Sequence, residues 1–88
     1  MNTYIINGSS MLSRETAHAE IARAMRFPDY YGANLDALWD LISCDDAEVV
    51  LRNTAPMLNG LGGYGCKLLK TFFDAVQENP DFSFRIEE

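Results

Sequence analysis

Residues 27–51 read FPDYYGANLDALWDLISCDDAEVVL, and this stretch settles the architecture. Phe27-Pro28 stops whatever helix precedes it. Asn34 is placed to cap a new helix running to about Ser43. On that helix Leu35, Leu38 and Ile42 fall on one side, with Trp39 at its edge. Ala47-Glu48-Val49-Val50-Leu51 then reads as a strand. A helix delivered straight into a strand is the repeating unit of an α/β fold.

Working outward, Thr3-Tyr4-Ile5-Ile6 reads as a first strand ending at the turn signal Asn7-Gly8. Ser13 caps a helix with Glu15 in its first turn, and Ala17, Ile21 and Ala24 recur at helical spacing. Beyond the second strand, Thr54 to Leu58 reads as a short helix broken by the glycines between Gly60 and Gly65. Cys66 to Glu78 is strongly helical, with Leu68, Leu69, Phe72, Phe73 and Val76 in one broad stripe. Phe82, Phe84 and Ile86 alternate with Ser83, Arg85 and Glu87 in a last strand with one buried face. The order strand, helices, strand, helices, strand predicts a three-stranded parallel β-sheet packed by about four helices. Because the last strand alternates, the helices are expected mainly on one face. The chain is read as a single domain over residues 1–88.

Composition narrows the function classes. A chain of 88 residues, 48% apolar, is of ordinary globular make-up. It contains no apolar run long enough for a membrane span and no signal-peptide pattern, so the expectation is a cytoplasmic protein. Cys44 and Cys66 do not form a C-x-x-C arrangement, which argues against zinc, and they are read as buried or free thiols with a disulfide left open. The net charge of −6 disfavours nucleic acid and anionic membrane and favours a basic partner. No metal or other cofactor is implied.

The charge is unevenly distributed. Between Phe27 and Leu51 there is no Lys or Arg, yet the segment holds Asp29, Asp36, Asp40, Asp45, Asp46 and Glu48. Asp36 and Asp40 stack one turn apart beside the apolar side of the second helix, where their repulsion weakens it by a few tenths of a kcal/mol, roughly. Either a folded-state cation, such as Arg52 or Arg26, or a bound partner would relieve that defect. Tyr30-Tyr31-Gly32 precedes the helix. Adjacent loop tyrosines rarely point the same way, so one is expected to be available for contact. Trp39 is expected at the rim of the core. A second acidic pair, Asp74 and Glu78, shares the polar side of the last helix with Lys67, Lys70 and Thr71 and reads as solvated surface.

Catalysis is a poor fit. One helix turn in so small a domain forms a ridge, whereas paired glycosidase carboxyls must face each other across a sugar. The single histidine, His18, lies far in sequence from the acidic segment and is expected at the surface or rim. No nucleophile or phosphate-loop motif is present.

These residues resemble the barstar family of ribonuclease inhibitors. The likeness is densest in Pro28-Asp29-Tyr30-Tyr31-Gly32-x-Asn34-Leu35-Asp36-Ala37-Leu38-Trp39-Asp40. It extends more weakly to Ile6-Asn7-Gly8, the helix from Phe72 to Glu78 and the last strand. The resemblance implies a small acidic protein that blocks a secreted microbial ribonuclease inside the producing cell. It also implies a partner-binding set of Tyr30, Tyr31, Gly32, Asn34, Leu35, Asp36, Trp39 and Asp40. Asp40 would enter the nuclease active site at a phosphate position, and Asp36 would support it. Asp74 falls where the family carries a longer Glu facing the nuclease, and Glu78 completes the set on the same helix. Two departures bear on which nuclease is accepted. Ser43-Cys44-Asp45-Asp46 stands where the family's best-known member has a tryptophan, and the loop before the last helix is rich in glycine.

The expected function is therefore intracellular inhibition of a basic microbial ribonuclease in a 1:1 complex by a protein that is monomeric when free. The alternatives are an immunity protein against a different toxin nuclease and a non-inhibitory acidic adaptor for a basic protein.

Overall fold

Strand β1 (Asn2–Asn7) leads through a 3-10 turn to helix α1 (Arg14–Met25), and helix α2 (Leu35–Ile42) leads to strand β2 (Ala47–Arg52). Helices α3 (Thr54–Leu61) and α4 (Gly63–Glu78) precede strand β3 (Phe82–Glu87). This is the architecture of a computed structural model, which describes residues 2–87. Its one sheet is wholly parallel in the order β1-β2-β3, as the sequence predicts.

Strand order explains the layering. Both crossovers step the same way across the sheet, and parallel crossovers are almost always of one hand, so their helices land on one face. Tyr4, Val49 and Phe84 lie in register on that face, as do Ile6, Leu51 and Ile86. The core joins Ile6, Val49, Leu51 and Phe82 to Ile21 and Met25 of α1, Leu38 and Ile42 of α2, Met57 of α3, and Leu68 and Phe72 of α4. The other face carries ion pairs: Arg52 to Glu87 at 2.9 Å, and Arg85 to Glu87 at 3.6 Å and Glu48 at 4.0 Å. Val50 is buried on that face yet lies outside the core cluster, sheltered by its register neighbours Ile5 and Arg85.

Two helix boundaries differ from expectation. α3 runs past Leu58 to Leu61, and α4 begins at Gly63, three residues before Cys66. Only Gly62 breaks the path, at φ 58° and ψ −131°, a region open to glycine alone. Gly65 continues the helix where a Cβ would lie 3.0 Å from Leu58 Cδ2, so its bareness lets α3 and α4 close together.

α2 is held against α4 at its C-terminal end by one side chain. Asn79, just past α4, is buried. Its amide donates to the backbone carbonyls of Ile42 at 3.3 Å and Asp45 at 2.8 Å, and its Oδ1 accepts from the Asp81 N–H at 3.0 Å. It therefore adds a second donor to the Ile42 carbonyl, which also accepts the Asp45 N–H at 3.3 Å, and bonds the Asp45 carbonyl just beyond the helix. Asn79→Ala should lower unfolding free energy by about 1–3 kcal/mol, the range for leaving buried polar groups unpaired. Urea unfolding checks this, and a loss below about 0.5 kcal/mol would show that the link is dispensable.

Candidate protein-binding site

α2 begins with a side-chain cap. Asn34 Oδ1 accepts the Ala37 N–H at 2.7 Å, while its amide donates to the Gly32 carbonyl at 3.2 Å. Leu38 and Ile42 are fully buried, and Leu35 and Trp39 pack against the core while staying partly open. With the apolar side fixed inward, Asp36 and Asp40 project outward, and both are exposed. Neither forms an ion pair among the described residues. Arg52, a candidate for relieving them, is engaged with Glu87, and Arg26 pairs with no acid among the described residues.

The ridge separates two shallow concavities. On one side, Asp40, Ala37 and Leu41 meet Tyr30, Tyr31 and Gly32 around about 290 Å³. On the other, Leu35, Asp36 and Trp39 meet Lys67, Lys70, Thr71 and Asp74 of α4 around about 340 Å³. Glu78 is exposed further along α4 and does not line this groove. Asp74 is half-exposed, and its Oδ2 lies 2.8 Å from Lys70 Nζ. Such an exposed i,i+4 pair contributes about 0.3–0.5 kcal/mol and opens readily.

The two tyrosines divide as expected. Tyr30 is 82% exposed. Tyr31 turns inward, its ring 4.8 Å from that of Phe27 and its hydroxyl 2.6 Å from His18 Nδ1. His18 is 1% exposed, which corrects its assignment to the surface or rim. Its other nitrogen, Nε2, is 2.6 Å from the Tyr64 hydroxyl, and the Arg14 guanidinium lies 4.4 Å over the Tyr64 ring. A neutral imidazole serves both phenols at once, accepting from one hydroxyl and donating to the other. Burial pushes the Tyr31 phenol well above its ordinary range, so it stays protonated. His18 and Tyr64 thus tie the 30–34 loop to α1 and α4. The backbone adds a further constraint, because the left-handed residue of the loop is Ala33, at φ 53°, and not Gly32. Gly32 instead permits close approach, since a Cβ there would sit 3.3 Å from Ala37 Cβ.

Cys44 and Cys66 are free and exposed. Among the described residues no group of His, Cys, Asp or Glu is arranged to hold a metal, and no helix is long and apolar enough to cross a membrane.

The chain that carries this ridge and loop matches a known family along nearly its whole length. The family model described as Barstar (barnase inhibitor) matches residues 1–87. The chain belongs to the barstar family. A Bacillus subtilis (strain 168) protein named "Putative ribonuclease inhibitor YrdF" is 36% identical over 84 residues, covering 92% of each chain. The family is one of inhibitors, and the chain is not an enzyme.

The buried histidine makes stability depend on pH. Burial lowers the His18 pKa below its ordinary 6.5. The unfolded chain therefore takes up this proton at higher pH than the folded chain. Stability rises with pH across the window and is lost as pH falls below about 6.5. Glu20, held low mainly by its hydrogen bonds from Arg23, adds a further loss as pH falls below 4.5. Urea unfolding between pH 7.5 and 5.5, run as a series, should show wild-type stability declining, while His18→Gln, which cannot titrate, stays flat. Parallel slopes for the two proteins would refute the assignment.

Proposed function

We propose that this protein inhibits a basic microbial ribonuclease by seating the α2 ridge and the Tyr30–Asn34 loop in its active site, in a 1:1 complex. The observation that carries this reading is the outward, uncompensated pair Asp36 and Asp40. An enzyme that cleaves RNA gathers Arg, Lys and His around the scissile phosphate. Carboxylates on a rigid helix offer oxygens where phosphate oxygens would sit, and Arg grips them through paired N–H donors. No chemistry is needed, because occupancy excludes RNA. Asp40 takes the phosphate position and Asp36 adds a second charge contact. Tyr30 and Trp39 supply contact area at the flanks, where aromatic residues concentrate binding energy. The name of the Bacillus subtilis relative supports the reading.

Attraction between an acidic inhibitor and a basic enzyme also raises the association rate. Speed suits a protein that guards its own cell against a nuclease made there, and we place its action in the cytoplasm, as a monomer when free. The scaffold serves equally as an immunity protein against another toxin nuclease. It would be a plain adaptor if it bound a basic protein without blocking cleavage.

RNA cleavage by a panel of basic microbial ribonucleases, titrated with the protein, separates these outcomes. Asp40→Ala should weaken inhibition by at least about 2 kcal/mol, the general hot-spot range that the barnase–barstar pair itself helped to define. The same change removes a like-charge i,i+4 contact and introduces the best helix former, so stability should rise by about 0.5–1 kcal/mol. Unchanged inhibition by the variant would contradict the proposal. Inhibition should weaken as salt is added, chiefly through slower association; an association rate indifferent to salt would remove steering from the account.

A further inference from the structure

The groove between α2 and α4 contains two cations that the reading above does not use. Lys67 and Lys70 line it together with Asp36, Trp39 and Asp74. Lys70 is engaged by Asp74 at 2.8 Å. Lys67 is exposed and forms no ion pair among the described residues. It stands three residues from Lys70 on the same helix face, where like charges repel. It also lies one residue past the first turn of α4, toward the positive pole of the helix. Of the two carboxylates that share the groove, Asp74 is taken by Lys70 and Asp36 forms no ion pair with Lys67. The opposite flank of the ridge differs, since Asp40 is its only charged lining residue. One side of the surface is thus purely acidic, and the other carries two charges of each sign.

We propose that Lys67 is a specificity-determining residue of the inhibitory surface, selecting ribonucleases that carry a carboxylate beside their basic active site. This rests on the inhibitor reading given above. A nuclease seated on Asp36 and Asp40 covers the groove, with Trp39 displacing water beside the lysines. A carboxylate opposite Lys67 forms an ion pair sheltered from solvent. A neutral rim leaves the ammonium desolvated and unpaired, and a basic rim adds repulsion. Specificity is the difference between these cases, and a charge that penalises the wrong partner contributes as much to it as one that attracts the right partner. The neighbouring Lys70–Asp74 pair is weak enough to open, so it adapts to either sign where Lys67 does not.

The test uses wild type, Lys67→Glu, Lys67→Ala and Asp40→Ala against a panel of basic microbial ribonucleases of known structure. The panel is divided by whether a carboxylate borders the active site. RNA cleavage is the readout, and thermal melting confirms that the variants fold. Lys67→Glu should weaken inhibition of the carboxylate-bearing enzymes by at least about tenfold and strengthen inhibition of those bordered only by cations, with Lys67→Ala between the extremes. Replacing the bordering carboxylate of one such nuclease by lysine should restore its inhibition by Lys67→Glu. A uniform change across the panel, with Asp40→Ala still weakening inhibition, overturns the role of Lys67 and leaves the inhibitor reading standing. Failure of wild type to inhibit any member overturns both.

Discussion

The rotation of one short helix about its own axis governs the functional surface. α2 has eight residues, too few to persist as an isolated helix in water. Its orientation is imposed by burying Leu38 and Ile42, each fully removed from solvent and worth about 1.5–3 kcal/mol. The Asn34 side chain fixes its start, and the Asn79 amide fixes its end against α4. The repulsion between Asp36 and Asp40, a few tenths of a kcal/mol, is roughly tenfold smaller than the burial that opposes it. Packing wins, and both carboxylates are held outward, neither in an ion pair among the described residues.

One-sided layering extends the same control to the loop. Because α1, α2 and α4 share a face of the sheet, α1 and α4 come close enough for His18 to bond Tyr31 of the loop through one ring nitrogen and Tyr64 of α4 through the other. The tyrosine hydroxyl, the ring contact with Phe27 and the left-handed turn at Ala33 leave the loop little freedom. A surface ordered before contact gives up less conformational entropy on binding. The left-handed alanine costs about 1–2 kcal/mol and persists only because its surroundings dictate the path.

Periodic elements were legible in the sequence, because spacing alone encodes which side is buried. Leu35, Leu38 and Ile42 placed α2, and the alternation from Phe82 to Ile86 announced a sheet covered on one face. The start of α4 was not legible. Glycine has poor helix propensity, and Gly60 to Gly65 reads as a loop until Leu58 packs against the bare Gly65. His18 carried a signal that polarity concealed, since it lies three residues before Ile21 and seven before Met25, on the stripe that became core. Its partners are 13 and 46 residues away, a closure only the tertiary fold supplies. For the binding surface, the aspartates and tyrosines stood out as a cluster. The lysines of α4 did not, because nothing local shows that α4 lies alongside α2.

The overall charge and the local charge pattern of this surface act over different distances, and so on different rates. At physiological salt, attraction between exposed charges fades over about 8 Å, and the acidity of the whole chain is felt mainly during approach. Lys67 acts only when a partner covers the groove and water leaves. Changing it to Glu alters the net charge by −2, from −6 to −8, which speeds approach for every basic enzyme alike. Its effect on discrimination belongs to dissociation, where contacts between related complexes usually differ. Measuring the two rate constants separately therefore divides steering from selection. A gain shared by all partners in the association rate reports total charge, and a spread among partners in the dissociation rate reports the lysine.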